Sequence, residues 1–239
     1  MDPAKAQAVI GQLRDEIRRR EASLPQASLG ALASGYAPLD GLLPGGGFPL
    51  GRVVELTGAR ASGKTTLALM ALARATRSGS LGAFVDPLRE LYPPAARALG
   101  ADLSRLLVVR PEDPSLCVRV ASLLARSKAF SAVVLDAAAL SGQPQGPLSR
   151  RLLEAAETGR AAVIVLSDGP SGLDATLRVS VERPSEREIA LAVERSRLGP
   201  PGRTSRGLMS VPEELEEQAP AQRALERLVA SGGASNEER

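Results

Sequence analysis

One short segment constrains the fold of this chain more than any other: residues 58–65 have the sequence G-A-R-A-S-G-K-T. It matches the pattern G-x-x-x-x-G-K-[S/T], in which the backbone N–H groups of a glycine-rich loop surround a polyphosphate. The pattern requires a β-strand before it and a helix after it. Both are predicted here, since residues 53–57 favour a β-branched strand and residues 64–77 favour a helix. We therefore expect a strand–loop–helix unit that binds phosphate at the N-terminus of the helix.

The residues of this loop have distinct expected roles. Lys64 is expected to reach the β- and γ-phosphates, and the hydroxyl of Thr65 to bind Mg²⁺. ATP and Mg²⁺ are accordingly the predicted cofactors. Lys64 is one of only three lysines among the 30 basic residues of the chain, which makes an accidental match to the pattern less plausible. Further nucleotide contacts are expected from Gly58, Arg60, Ser62, Gly63 and Thr66.

Strands and helices alternate after this loop. The alternation predicts an α/β fold in which a mostly parallel central sheet is flanked by helices on both faces. Two later runs, residues 175–182 and 188–194, are predicted as antiparallel strands joined at Pro184. The earlier strands are predicted at residues 83–86, 106–109, 132–136 and 161–166, and the helices at residues 93–99, from 114 onward, and at 147–158.

The strand at residues 132–136 ends in an acidic residue, Asp136. An apolar strand that ends in Asp is a weak signal by itself, because buried strands often end this way. After a phosphate-binding loop and two intervening strands, the signal becomes specific. We therefore expect Asp136 to hold the Mg²⁺ shell together with Thr65.

The composition excludes several classes of function. The chain has no histidine and a single cysteine, Cys117, which excludes His-based triads, an intrachain disulfide and the usual zinc ligand sets. Any proton chemistry therefore falls to Asp and Glu. The N-terminus has no apolar core of a signal peptide, and no stretch of about 18 apolar residues occurs. These features predict a cytoplasmic protein with no membrane partner.

Three regions are predicted along the chain. Residues 1–24 contain an amphipathic helix at residues 3–21, residues 25–200 form the core domain, and residues 201–239 form a C-terminal tail. Glycine and proline make residues 35–51 a predicted stretch of turns without a regular element. Residues 199–207, which span the boundary between core and tail, are predicted to be a flexible tether, followed by an acidic run and a short amphipathic helix at residues 220–230.

The sequence around the phosphate-binding loop resembles bacterial RecA recombinases. Residues 35–66 have the sequence GYAPLDGLLPGGGFPLGRVVELTGARASGKTT, and the similarity continues through residues 83–86, residues 99–102 and Asp136. It covers about residues 35–198, and residues 3–21 lie where RecA carries its polymerising helix. The stretch that precedes the loop, from residue 35 onward, distinguishes the chain from small P-loop kinases. A kinase of this kind is therefore the most remote alternative function. The resemblance implies a RecA-like P-loop ATPase core, with self-association through the N-terminal helix as one possibility.

Several positions depart from the RecA pattern. The glutamate that activates water in RecA corresponds to Leu88, and a leucine cannot orient or deprotonate water. Glu90 is the possible substitute base, although a solvated surface role is the simpler interpretation. The adenine-stacking position corresponds to Ala95, and Tyr92 is expected to serve instead. The glutamine that senses the γ-phosphate corresponds to Asp168, whose charge is expected to repel phosphate.

The DNA-binding segments of RecA also differ here. Both loops are expected to be short, at residues 141–147 and 168–173, so DNA binding is expected to be weak or indirect. Arg195 and Arg197 match the lysine pair that RecA extends across a subunit interface, and they are candidates for interface or phosphate contacts. The wider basic cluster that runs to Arg206 is equally consistent with a solvated loop.

A RecA-like core with weakened catalysis and a C-terminal extension is similar to the ImuA family, the RecA-like accessory proteins of bacterial error-prone translesion synthesis. That similarity implies a role in the DNA-damage (SOS) response through protein partners, with an ImuB-like mutasome protein and RecA as the expected ones. Association with the bacterial nucleoid is expected when the protein is engaged. The alternative is an ATP-dependent recombinase, or a recombination mediator, that binds DNA and modulates RecA.

Overall fold

A computed structural model describes residues 30–140 and 146–209 of the chain. The predicted N-terminal helix, the acidic run and the helix at residues 220–230 lie outside the described residues, as does most of the predicted first DNA loop. Within the described ranges, no helix is long and apolar enough to cross a membrane.

The described chain contains ten strands and five α-helices. The strands are β1 (Ala31–Leu32), β2 (Phe48–Pro49), β3 (Val53–Thr57), β4 (Leu81–Val85), β5 (Leu106–Val109), β6 (Phe130–Asp136), β7 (Ala162–Ser167), β8 (Leu177–Glu182), β9 (Glu188–Ser196) and β10 (Thr204–Leu208). The helices are α1 (Ala37–Asp40), α2 (Lys64–Arg77), α3 (Pro93–Ala98), α4 (Cys117–Arg126) and α5 (Gly146–Gly159), with 3₁₀ turns at Leu103–Arg105, Pro114–Leu116 and Ala138–Leu140.

Eight of the strands form one sheet in the order β10-β9-β8-β3-β7-β6-β4-β5. The strands from β8 to β5 in this order pair in parallel, whereas β9 pairs antiparallel with β8 and with β10. β1 and β2 form a separate antiparallel pair. The predicted α/β fold with a mostly parallel sheet is therefore confirmed, as is the antiparallel pairing of the two later strands.

Two hydrophobic cores cover the two faces of the sheet. Successive side chains of β6 alternate between them, since Val134 packs with α2 on one face and Val133 with α4 and α5 on the other. β3 and β7 lie in the middle of the sheet, and every residue of both strands is buried. The predicted phosphate-binding loop thus starts from one of the most deeply buried strands.

Two predicted irregular segments contain regular structure. Residues 35–51 contain α1 and β2, and the carboxylate of Asp40 accepts hydrogen bonds from the N–H groups of Ser34 and Gly35 to fix the turn before α1. The tether predicted at residues 199–207 is wrong from Thr204 onward, because β10 is the edge strand of the sheet. The sheet therefore continues past residue 200, where the core domain was predicted to end.

Candidate functional site: the loop between β3 and α2

The loop between β3 and α2 has the backbone geometry of a phosphate cradle. Ala61 and Gly63 adopt left-handed conformations with φ of 62° and 99°, which turn the chain from the strand into the helix. A Cβ atom on Gly58 would lie 2.2 Å from the carbonyl oxygen of Val181, so this position accepts only glycine. The first amides of α2 have no acceptor within the helix, and their positive potential is directed toward the loop.

Lys64 is the first residue of α2, and only 7% of its surface is exposed. Its Nζ donates to the carbonyl oxygens of Gly58, at 2.8 Å, and Ala59, at 3.1 Å. The third partner is Oδ1 of Asp168, at 2.8 Å. The ammonium group is therefore held inside the curve of the loop, where a bound phosphate would meet it.

The hydroxyl of Ser62 is a buried polar atom with no hydrogen-bond partner among the described residues. Buried polar groups are normally paired, and a phosphate bound at a loop of this shape would complete the pairing. Together with Lys64 and the glycine-only position at Gly58, this hydroxyl fits a bound polyphosphate. The hydroxyl of Thr65, an exposed residue beside Lys64, is available for the Mg²⁺ that would accompany it.

Asp136 ends β6, two strands away from β3 in the sheet. Its carboxylate accepts a hydrogen bond from the N–H of Ala138 at 3.0 Å. Burial raises the pKa of Asp136 above its usual range, and the neighbouring charges of Glu90 and Asp86 raise this pKa further. A half-buried carboxylate beside other carboxylates is stabilised by a cation, which fits the predicted role of Asp136 in holding Mg²⁺.

The segment after β4 is organised by Asp86. This carboxylate is fully buried and accepts hydrogen bonds from the N–H groups of Glu90 and Leu91 and from Nε of Arg110. The turn presents Glu90 to the loop, where its Oε1 lies 2.8 Å from an NH2 nitrogen of Arg60. Leu88 lies on the same turn with 39% of its surface exposed.

Comparison with known proteins shows to which family this chain belongs. The RecA N-terminal domain matches residues 16–167, which is more than half of the chain. The chain belongs to the RecA family. Protein RecA of Corynebacterium jeikeium is 46% identical over 109 residues, which are 46% of this chain and 29% of that protein. Protein RecA of a Nocardioides species is 42% identical over 130 residues, which are 54% of this chain and 35% of that protein.

The chain thus spans about a third of the length of the curated RecA relatives that it matches. Among solved structures, the crystal structure of the RadB recombinase is similar in fold. Its TM-score is 0.62 at 24% sequence identity, and the match covers 76% of this chain and 97% of that chain. The RecA-like fold expected from the sequence is therefore confirmed.

In this RecA-family chain, the structure brings most of the sequence-predicted nucleotide residues to one edge of the sheet. β3, β7 and β6 are adjacent and parallel, so the segments that follow them leave at the same edge. This places Asp168, the residue after β7, against Lys64. Tyr92, the residue before α3, is 42% exposed and follows closely after Glu90.

Arg195 and Arg197 do not join this site within the same chain. Arg195 pairs in register with Arg178 near the start of β8, whereas the loop leaves the end of β3, which runs parallel to β8. Both arginines form ion pairs with Asp174, at 3.3 and 3.0 Å. Both side chains are exposed, and their ion pairs are with Asp174 and not with a residue of the loop.

A buried network centred on Glu55 was missed in the sequence analysis. Glu55 lies in the middle of β3 with no exposed surface, and its carboxylate binds Nε of Arg178 at 2.7 Å. It also accepts from the hydroxyl of Ser167 and the N–H of Ser171, which anchors the connection between β7 and β8. The available signal was a single charge in an otherwise apolar strand, because such a charge needs a buried partner.

A cleft of about 660 Å³ lies beside the loop. One wall is the loop itself, at residues 58–62, and the other is formed by residues 180–183 at the end of β8 together with residues 168–170. Arg60 and Arg183 line it along with Asp168 and Glu182, so its charge is mixed.

Proposed function

We propose that this chain is a nucleotide-binding accessory protein of bacterial DNA-damage tolerance, which acts mainly through protein partners and hydrolyses ATP weakly. The observation that supports this proposal best is a contrast within one site. The loop after β3 has the geometry of a phosphate cradle, whereas the positions after β4 and β7 that would perform and sense hydrolysis are occupied by Leu88 and Asp168. A protein of this kind would hold a nucleotide without rapid turnover.

Nucleotide binding would use the residues around the loop. Lys64 and the hydroxyl of Ser62 would contact phosphate oxygens, and the amides at the start of α2 would add positive potential. Thr65 and Asp136 would hold Mg²⁺ through the bound nucleotide. Tyr92 would pack against the base. Arg60 lies at the rim of the loop and would need to leave Glu90 before it could meet a phosphate.

Weak hydrolysis follows from the residues near the terminal phosphate. An exposed leucine at position 88 offers no group that could accept a proton from water. A missing general base typically lowers the rate by about 10² to 10⁴. Glu90 is the nearest alternative, but its carboxylate is bound to Arg60, and this ion pair lowers its availability as a base.

Action through partners is supported by the connection between β7 and β8. Residues 168–176 form a short link, and Ser171 within it is fully buried and bound to Glu55. Such a link leaves little chain for contacts with DNA. The similarity to the ImuA family points to translesion synthesis, with an ImuB-like polymerase companion and RecA as the proposed partners. The N- and C-terminal segments that would meet them lie outside the described residues.

The second candidate is an ATP-dependent recombinase or a recombination mediator. One specific observation favours it, namely that the turn after β4 presents a carboxylate, Glu90, to the loop through its contact with Arg60. A carboxylate in that position could act as the base for an attacking water once Arg60 moves toward phosphate. This candidate requires rapid ATP turnover that increases with DNA.

The two candidates are separated by measuring ATP turnover of the purified full chain with and without single-stranded DNA, beside a RecA control. The accessory role predicts turnover at least about 100-fold below that of RecA, with little change on addition of DNA. It also predicts co-purification with an ImuB-like protein or RecA when the proteins are co-expressed. RecA-like turnover that rises with DNA would reject the accessory role and support the recombinase.

A further inference from the structure

We propose that Asp168 makes this loop select nucleoside diphosphates over nucleoside triphosphates. This inference rests on the proposed nucleotide binding and adds a specificity to it. Asp168 follows β7, and its Oδ1 lies 2.8 Å from Nζ of Lys64, the group expected to bridge the β- and γ-phosphates. The carboxylate therefore occupies the contact that a γ-phosphate would make.

The donors of Lys64 are fully used in this arrangement. A lysine ammonium group has three N–H donors and no acceptor. Here the three donors meet the carbonyl oxygens of Gly58 and Ala59 and the carboxylate of Asp168. A nucleotide that engages Lys64 through two phosphates must displace two of these three acceptors. A nucleotide whose chain ends at the β-phosphate needs to displace only one acceptor. It can replace a neutral carbonyl oxygen while the ion pair between Lys64 and Asp168 remains.

Asp168 is held in place from both sides along the chain. Ser167, the residue before it, donates through its hydroxyl to Glu55 at 3.0 Å, and the N–H of Ser171 donates to the same carboxylate at 2.8 Å. Glu55 is itself fixed by Arg178 and is completely buried. The backbone around Asp168 is therefore anchored, which favours a carboxylate that stays beside Lys64.

The surroundings of a γ-phosphate are also acidic. Arg60, the other cation of the loop, is paired with Glu90 at 2.8 Å. Asp136 ends β6, and Asp86 and Glu90 follow β4, the parallel strand beside it, so these carboxylates leave the sheet at the same edge. A γ-phosphate would add further negative charge to this group of carboxylates, and like charges placed together lower affinity strongly.

A diphosphate, in contrast, finds matching groups. The buried hydroxyl of Ser62 lies within the loop and lacks a partner among the described residues, so it can donate to a phosphate oxygen. The amides at the N-terminus of α2 attract negative charge at the same place. Asp168 itself is 43% exposed at its side chain, which leaves it solvated when it stays beside Lys64. The loop thus provides donors for the inner phosphates and a carboxylate at the position of the outer one.

The test is calorimetric titration of the full chain with Mg-ADP and with Mg-ATP, for the wild type and for Asp168→Asn. The amide preserves the size of the side chain and removes its charge. The matched control is Glu157→Gln, which removes the charge from an exposed ion pair with Arg52, on a helix away from the loop. Melting curves without nucleotide confirm that each variant is folded.

The wild type and the control are expected to bind ADP at least about tenfold more tightly than ATP, because two negative groups compete for one ammonium. Asp168→Asn is expected to bind ATP more tightly than the wild type does, so that the preference for ADP over ATP becomes smaller or is reversed. A wild type that binds ATP as tightly as ADP, or tighter, overturns this inference and leaves nucleotide binding intact. A preference for ADP that survives unchanged in Asp168→Asn rejects Asp168 as its cause. A wild type that binds neither nucleotide rejects both this inference and the proposed function.

Discussion

The segments that follow β3, β7 and β4 lie along the same edge of the sheet but differ in what they offer to a nucleotide. The loop after β3 combines left-handed turns at Ala61 and Gly63, a glycine-only position at Gly58 and a buried lysine. The segments after β4 and β7 carry an apolar residue, Leu88, and a carboxylate, Asp168, where a RecA-like enzyme needs groups that act on the terminal phosphate. Under the proposed function, phosphate binding and hydrolysis would therefore be separable in this fold.

This difference has a physical basis. A phosphate cradle depends on backbone geometry and is maintained by glycine, left-handed residues and a helix N-terminus. Hydrolysis depends on single side chains at strand ends, and one substitution removes it while leaving the backbone unchanged. The segment after β7 is an example, because Glu55, Ser171 and Arg178 hold it firmly while its first residue, Asp168, is a carboxylate and not an amide.

The largest expected effect concerns turnover. Because Leu88 cannot activate water, the wild type is expected to hydrolyse ATP about 10²- to 10⁴-fold more slowly than RecA. Phosphate release at saturating Mg-ATP measures it directly. If turnover is instead comparable to that of RecA, Glu90 becomes the base, and Glu90→Gln should then abolish the activity. That result would remove the contrast between the segments after β3 and β4.

The next effect concerns the loop itself. Lys64→Ala removes the buried ammonium group and is expected to weaken nucleotide binding by about 100-fold. Titration with a fluorescent nucleotide measures the change in Kd. Arg150→Ala is the control, since this side chain is 85% exposed and forms a surface ion pair with Glu154. Equal binding by Lys64→Ala and this control would mean that the loop does not hold the nucleotide.

The anchoring of the segment after β7 gives a third prediction. Arg178→Ala leaves the buried carboxylate of Glu55 without its cation, and removal of one partner of a buried ion pair costs about 3 to 5 kcal/mol. The melting temperature is expected to fall on the order of 10 °C. If Arg178→Ala lowers the free energy of unfolding by less than about 1 kcal/mol, as is typical of an exposed ion pair, Glu55 does not fix this segment.

The smallest effect concerns Asp136. Its pKa is raised by burial and by Glu90 and Asp86, so the ionised form is disfavoured in the folded protein. When the pKa of a carboxyl group is higher in the folded than in the unfolded protein, its ionisation favours the unfolded state. Stability therefore falls as the pH rises from the unfolded pKa to the folded pKa. Asp136→Asn is therefore expected to melt a few degrees higher than the wild type at neutral pH, and with no such advantage at acidic pH. A lower melting temperature at neutral pH would contradict this account, and loss of Mg²⁺-dependent nucleotide binding in the same variant would support its metal role.

The sequence was sufficient to predict the fold and most of the strands, because hydrophobic periodicity and glycine-rich turns act locally. The extent of α2 was predicted correctly from its pattern, at Lys64–Arg77. β10 was missed because it is an edge strand with little burial, and Leu208, its one large apolar residue, is 79% exposed. Local composition could not reveal this strand, since its pairing with β9 supplies the evidence.

The site was predicted only in part, for a related reason. The motif at residues 58–65 identified the loop, but the ion pair between Lys64 and Asp168 joins residues that are far apart in the sequence. It exists because β3 and β7 are neighbours in the sheet, which periodicity does not show. The pairing of Arg60 with Glu90 has the same origin in strand order, as β4 lies on the far side of β6.

The most direct test of nucleotide binding is the melting temperature of the wild-type full chain with and without millimolar Mg-ADP or Mg-ATP. A ligand that binds only the folded state stabilises it by about 2.7 kcal/mol at 100 times its Kd, which raises the melting temperature on the order of 5 to 10 °C. Such a rise with at least one of the two nucleotides is the predicted result. No shift with either nucleotide would mean that the loop between β3 and α2 binds no phosphate, and the account would fail.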